Sequence, residues 1–184
     1  MYQSGIIKLR LEFEDEKSPY LLDISSLLYD FELLHDFTIL VSAEEYSSYR
    51  FSQYFWYRKG RPLRDEQKLR ALKIVKESPL TIELGLSILA ISSGAIWILI
   101  QAVEKIANFK LNREKLKAEI EKLHLETKIL RYNEQEARIE MERRLYERKA
   151  SEVLDTLLKR MQANPIKLRD IDLSGDVTDF KNSK

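Results

Sequence analysis

Leu84 to Val103 reads LGLSILAISSGAIWILIQAV, twenty residues without a formal charge. As one helix it rises about 30 Å, the thickness of a bilayer's hydrocarbon core. Ten of the twenty are Leu, Ile or Val. At about −0.3 to −0.6 kcal/mol each on the insertion scale they contribute roughly −5 kcal/mol, with no charge set against them. The same run suits a helix buried on every side in a large core, or one shielded inside an oligomer. The other half of the chain is strongly charged and offers little protein to wrap such a helix. The expectation is therefore a transmembrane helix over residues 85–107.

One face of that helix differs from the rest. Ser87, Ala90, Gly94, Trp97 and Gln101, flanked by Glu83 and Glu104, recur at steps of three and four. They share a face while most of the Ile and Leu fall elsewhere. Ala90 and Gly94 have the small-xxx-small spacing of close helix packing. The polar members suit the lining of a water-filled pore equally. Both readings need more than one chain. The flanks do not orient the helix, with eight basic residues from Arg58 to Lys76 and six from Lys105 to Lys122.

Upstream, Ile7, Leu9, Leu11 and Phe13 alternate with Lys8, Arg10 and Glu12, the pattern of a strand with one buried face. Glu14 to Lys17 reads as a charged turn. Leu27, Phe31 and Leu34 mark a helix, while Phe37 to Val41 fits helix or strand. Leu72 and Ile74, then Leu80, Ile82 and Leu84, flank Glu77-Ser78-Pro79 as a hairpin. Residues 1–84 are thus expected to form a small α+β domain. The start, MYQSGIIKLRLEFEDE, lacks the charged, apolar and small-residue regions of a secretory signal. This predicts a cytoplasmic N-terminal domain held at the inner membrane.

Downstream, Glu104 to Gln162 contains no glycine or proline and is dominated by helix formers. Leu116, Ile120, Leu123, Leu130 and Met141 follow the spacing of a coiled-coil seam, interrupted by Thr127 and Glu134. The seam predicts one long charged helix over residues 108–163 that joins copies of the chain, ended by Asn164-Pro165. A tail over 164–184 follows, either mobile or an added strand. The fold class expected is a small α+β domain, an apolar membrane helix and a long coiled-coil-like helix, mostly α overall.

Little in the sequence points to catalysis. There is no cysteine, which excludes disulfides, thiolate chemistry and Cys-ligated zinc. No phosphate loop, serine elbow or HExxH helix occurs, and His35 and His124 stand far apart. Neither a metal nor a cofactor is expected. Tyr46 to Arg64, YSSYRFSQYFWYRKGRPLR, is the one stretch with binding chemistry. Aromatic rings beside guanidinium groups are what nucleotides and single strands need. Arg50, Tyr54, Trp56, Arg58, Lys59, Arg61 and Arg64 are the candidate ligand residues. A buried aromatic strand over Arg50 to Arg58 and contact with lipid headgroups explain the same composition.

The layout of a compact domain, an apolar helix and a charged helix resembles the small pore-forming membrane effectors of bacterial anti-phage systems. In outline it is similar to the ion-channel effector of the Hailong type. That resemblance implies a non-enzymatic homo-oligomeric pore, toxic to its host and gated by a cytoplasmic nucleotide or oligonucleotide. The alternative is a single-span coiled-coil scaffold at the membrane with no conductance.

Overall fold

Alternation builds the sheet. In β1 (Ile6–Glu14) Ile7, Leu9, Leu11 and Phe13 are buried, and the charged residues between them face away. The computed structural model describes residues 6–14, 19–76, 79–107, 112–127 and 133–176. Within them β2 (Arg70–Lys76), β3 (Leu80–Ser87) and β4 (Lys167–Asp176) join β1 in a four-stranded antiparallel sheet of order β2-β3-β1-β4. Leu9 lies between Leu84 and Leu173, and Leu11 between Ile82 and Ile171, so three strands present one apolar face. The first and last described strands are neighbours. The tail therefore begins as a strand of the sheet.

The helices cover that face. In α1 (Leu21–Ser42) every residue from Leu33 to Val41 is buried, which makes its second half a central helix rather than a surface one. It also carries Asp30, His35, Asp36 and Thr38 into the interior. Phe37 to Val41 is helical.

The apolar stretch is not one helix. Leu84 to Ser87 end β3, Ile88–Ser92 form the short α2, and Ala95–Ile106 form α3. Between the two helices Gly94 takes a left-handed φ of 76°, where a side chain is disfavoured. The Ser92 and Ser93 hydroxyls donate back to the Leu89 carbonyl at 3.3 and 2.6 Å, a local alternative to helical continuation. The twelve residues of α3 span ~18 Å, well short of a bilayer. No helix among the described residues is long and apolar enough to cross a membrane. The transmembrane helix and the inner-membrane location inferred from it are thereby corrected, and with them the layout on which the likeness to pore-forming effectors rested. Hydropathy alone cannot separate lipid from protein as the apolar surroundings. Here α1 and the helices over Glu134–Glu147 and Ser151–Ala163 supply them.

The predicted long coiled coil is likewise corrected. Its residues form α4 (Arg113–Thr127), α5 (Glu134–Glu147) and α6 (Ser151–Ala163), folded back on the domain. Asn133 starts α5 by accepting the Glu136 N–H at 2.8 Å, the role of an N-cap. Lys149, at φ 54°, turns the chain between α5 and α6. The seam residues Leu116, Ile120 and Leu123 are buried inside the chain, where α4 packs on β4 and α2. A Cβ on Gly175 of β4 would lie 1.8 Å from Leu123 Cδ2, so the Leu123 side chain is seated directly on the Gly175 backbone and would have to shift to admit one. Met141 and Ala137 turn inward from α5, which packs on α1 and α3. Leu130, the charged turn at Asp15 and Glu16, the hairpin tip at Glu77-Ser78 and residues 177–184 lie outside the described residues.

Candidate functional site: an arginine cleft at the end of α1

The aromatic-basic stretch is not a strand. It winds through short 3-10 turns at Glu44–Tyr46, Gln53–Trp56, Arg58–Gly60 and Asp65–Gln67. Its rings explain the path, because Phe51 and Phe55 dock on Phe37 of α1 with centroids 5.0 and 6.0 Å away. Tyr49 donates its hydroxyl to the Gly60 carbonyl at 3.0 Å. A Cβ on Gly60 would lie 1.8 Å from the Tyr54 carbonyl oxygen, a backbone atom that cannot swing aside. Gly60→Ala is therefore expected to lower stability by about 1–3 kcal/mol in a urea titration.

Most of the basic residues here are already engaged. Arg61 is buried, its Nε 2.7 Å from Asp36 Oδ2 and its Nη2 3.2 Å from Glu32 Oε1. It also donates to the Phe55 carbonyl at 3.3 Å. Arg58 pairs with Glu32, and Arg64 with Glu45 and Glu66. The Trp56 ring is covered by the Arg160 guanidinium of α6, 5.6 Å from its centroid. Arg160 also lies 6.0 Å from the Tyr29 ring, as Arg61 does, and Tyr29 donates to the Trp56 carbonyl at 2.8 Å. Arg160 pairs with Asp30 at 2.6 Å, while burial raises the Asp30 carboxyl pKa against that attraction. This ladder of rings and cations holds α1, α6 and the loop together. Tyr54, Tyr57 and Lys59 remain exposed.

The other candidates disperse. Ser87 ends β3, Ala90 lies in α2 and Gly94 in the turn, so the small-polar stripe is no longer one helix face. Trp97 floors a groove of about 720 Å³ between α4 and α5, and Gln101 lines a second of about 530 Å³. His35 is buried with Nδ1 3.2 Å from Asp36 Oδ1, and its Nε2 has no partner among the described residues. Sealed from solvent, it meets no substrate. No cluster of three or more metal-ligating side chains occurs among the described residues.

Arg50 is the candidate that finds company. It faces a cleft of about 330 Å³ lined by four arginines, with Ser47 and two glutamates, Glu44 and Glu147. The cleft follows from how α1 ends. A helix leaves its last carbonyls without intrahelical donors and its end partly negative. α1 has no basic residue in its own last turn. Arg144 in the last turn of α5 and Arg148, the residue that caps it, supply two, four residues apart. Arg144 Nη1 donates to Val41 and Ser42 carbonyls at 3.0 and 2.7 Å, and Arg148 Nη1 to those of Leu40 and Tyr46 at 2.7 and 3.2 Å. Arg143 is taken by Glu140 and Glu147, and Arg144 Nε by Glu140.

Two cations are left unmatched. Neither Arg50 nor Arg148 has a carboxylate within ion-pairing distance among the described residues. Arg148 is 6% exposed, yet its Nε and Nη2 make no bond there and are not sealed in the interior. Burial lowers its pKa from the ordinary arginine value, and the neighbouring Arg144 and Arg50 charges act the same way, against the smaller opposing pull of Glu147 and Glu140. An arginine stays protonated regardless, so this electrostatic cost would be relieved by an anion. Arg50 alone of these was named from sequence. Arg144 and Arg148 stand at i,i+4 in ERRLYERK, but their role depends on the distant end of α1. No protein-family model, curated protein or solved structure matches the chain.

Proposed function

We propose that the protein is a non-enzymatic binding protein for a phosphate-bearing ligand, a nucleotide or oligonucleotide, taken up in the arginine cleft. The unmatched pair Arg50 and Arg148 carries this reading. Guanidinium groups present planar forks that fit phosphate oxygens, and one of the two is already held in place by α1. A pre-held cation loses little freedom on binding. The aromatic-basic loop contributes Arg50 and otherwise serves to anchor α1.

The test is a fluorescence titration of purified protein with a labelled adenine nucleotide and a short labelled single strand. Arg50→Glu is expected to weaken binding at least tenfold, since it reverses an exposed charge that makes only two long bonds to backbone carbonyls. Trp56→Ala is expected to leave affinity within about twofold, because its ring is occupied by Arg160. Full binding by Arg50→Glu, or a tenfold loss with Trp56→Ala in a folded protein, would move the site to the aromatic loop. No binding of either probe removes the reading.

A further inference from the structure

We propose that the cleft selects a terminal phosphate monoester, a dianion, over the phosphodiester units of a nucleic-acid backbone. This rests on the reading that the cleft is a phosphate site, and it narrows the ligand class within that reading. Charge is the first support. Arg143 and Arg144 are matched by Glu140 and Glu147, whereas Arg50 and Arg148 have no carboxylate within ion-pairing distance among the described residues. One monoester, which carries about −1.5 to −2 at neutral pH, can pair with both of these cations at once. A diester carries a single charge and leaves one of them uncompensated.

Oxygen count is the second. A monoester offers three unsubstituted oxygens, and the cleft holds three sets of donors not spent on the protein. Arg148 contributes Nε and Nη2, Arg50 its Nε and Nη2, and the third is Arg144 Nη2 together with the Ser47 hydroxyl, which lines the same cleft. A diester spends two of its four oxygens on ester bonds, and both substituents must then leave the cleft.

The rim is the third. At about 330 Å³ the cleft lies at the small end of ligand sites, room for a phosphate and little attached to it. Glu44 and Glu147 line it. A polyanionic strand threaded through it would carry neighbouring phosphates past those carboxylates, whereas a strand end would present only its last phosphate. Backbone-tracking sites show the opposite layout, a continuous basic groove.

The experiment is isothermal titration of the full chain with adenosine 5′-monophosphate, its 3′,5′-cyclic diester and inorganic phosphate, together with a short single strand with and without a 5′-phosphate. The monoester is expected to bind at least tenfold tighter than the cyclic diester. The 5′-phosphate should improve the strand by a similar factor, and Arg50→Ala should abolish both advantages. Inorganic phosphate should compete with the monoester. If it binds as tightly, the free ion is the source of this chemistry; if more weakly, an organic ester is. Equal affinity for monoester and diester, each lost in Arg50→Ala, overturns the selectivity and leaves the phosphate site standing. Affinities unchanged by Arg50→Ala overturn both. Arg50 is exposed, so the variant folds, which a matching thermal melt verifies.

Discussion

Arg61→Ala is expected to cost about 3–5 kcal/mol, a large share of the ~5–15 kcal/mol that holds a domain of this kind folded. Arg61 sits in the interior between α1 and the 53–61 loop, and its removal strands Asp36, itself 3% exposed, without its cation. The neighbour left to Asp36 is His35, whose Nδ1 is 3.2 Å away. The Phe55 carbonyl loses a donor, and Tyr29 loses one of the two cations against its ring. Arg61→Lys keeps the charge but not the planar fork that reaches Asp36 and Glu32 together, so an intermediate loss is expected. Arg64→Ala is the control. Its pairs with Glu45 and Glu66 are exposed, and such pairs contribute about 0–1 kcal/mol. Urea unfolding followed by circular dichroism measures all three. An Arg61→Ala protein within about 1 kcal/mol of wild type would mean that water replaces the guanidinium, and the loop is then not anchored as described. Replacing the pair by Arg61→Met with Asp36→Leu should recover part of the loss, because the penalty comes from the uncompensated carboxylate rather than from the missing attraction.

How much of this was legible depends on where each residue's partner lies. Ile7 to Phe13 and Leu80 to Leu84 announce their strands, since alternation is a local property and each burying face is complete in its own segment. The pairing of β1 with β4 is not local. Nothing near Leu168 or Ile171 says that the strand beside them is more than 150 residues earlier. The apolar run misled for a physical reason. Leu, Ile and Val at high density require apolar surroundings, but the density does not say whether these are lipid or protein. The local evidence against one long helix was the Ser92-Ser93-Gly94 break, and it proved stronger than the composition around it. The wrapping material was present too. It was spread thinly through a charged half in which, among the described residues, the buried apolar side chains of α4 and α5 are Leu116, Ile120, Leu123, Ala137 and Met141. A sparse apolar stripe of that kind looks the same whether it faces a partner helix or its own sheet.

The candidate site shows the same divide. Arg61 was visible as a basic residue in an aromatic stretch, but Asp36 is fixed opposite it only once α1 is built. Arg144 and Arg148 have no meaning until the end of α1 is set beside α5, because the carbonyls of Leu40, Val41 and Ser42 give them their orientation. Arg50 was named from its neighbours in sequence. It was grouped with Trp56 and Arg58, and it lines a cleft with Arg143, Arg144 and Arg148.

Ile120→Glu separates the two lives of that apolar stripe. Ile120 is 1% exposed among residues of its own chain, so the substitution buries a carboxylate with no arranged partner and removes a packed side chain. The expected loss is about 4 kcal/mol or more, seen as a lower melting temperature and collapse of the far-ultraviolet signal, independent of protein concentration. A stripe that joined chains would behave otherwise. The variant would stay folded while its sedimentation mass fell, and that outcome would show that α4 packs on a neighbouring molecule. A double-mutant cycle at the next turn gives the finer test. Leu123→Ala alone should cost about 2–5 kcal/mol as a cavity in the core. Gly175→Ala alone should cost about 1–3 kcal/mol, since the new methyl meets Leu123 Cδ2 at 1.8 Å. Together they should cost less than their sum, by about 1–3 kcal/mol, because the alanine at 175 enters the space that Leu123 vacates. Strict additivity would place Leu123 away from β4, and with it the packing of α4 on the sheet.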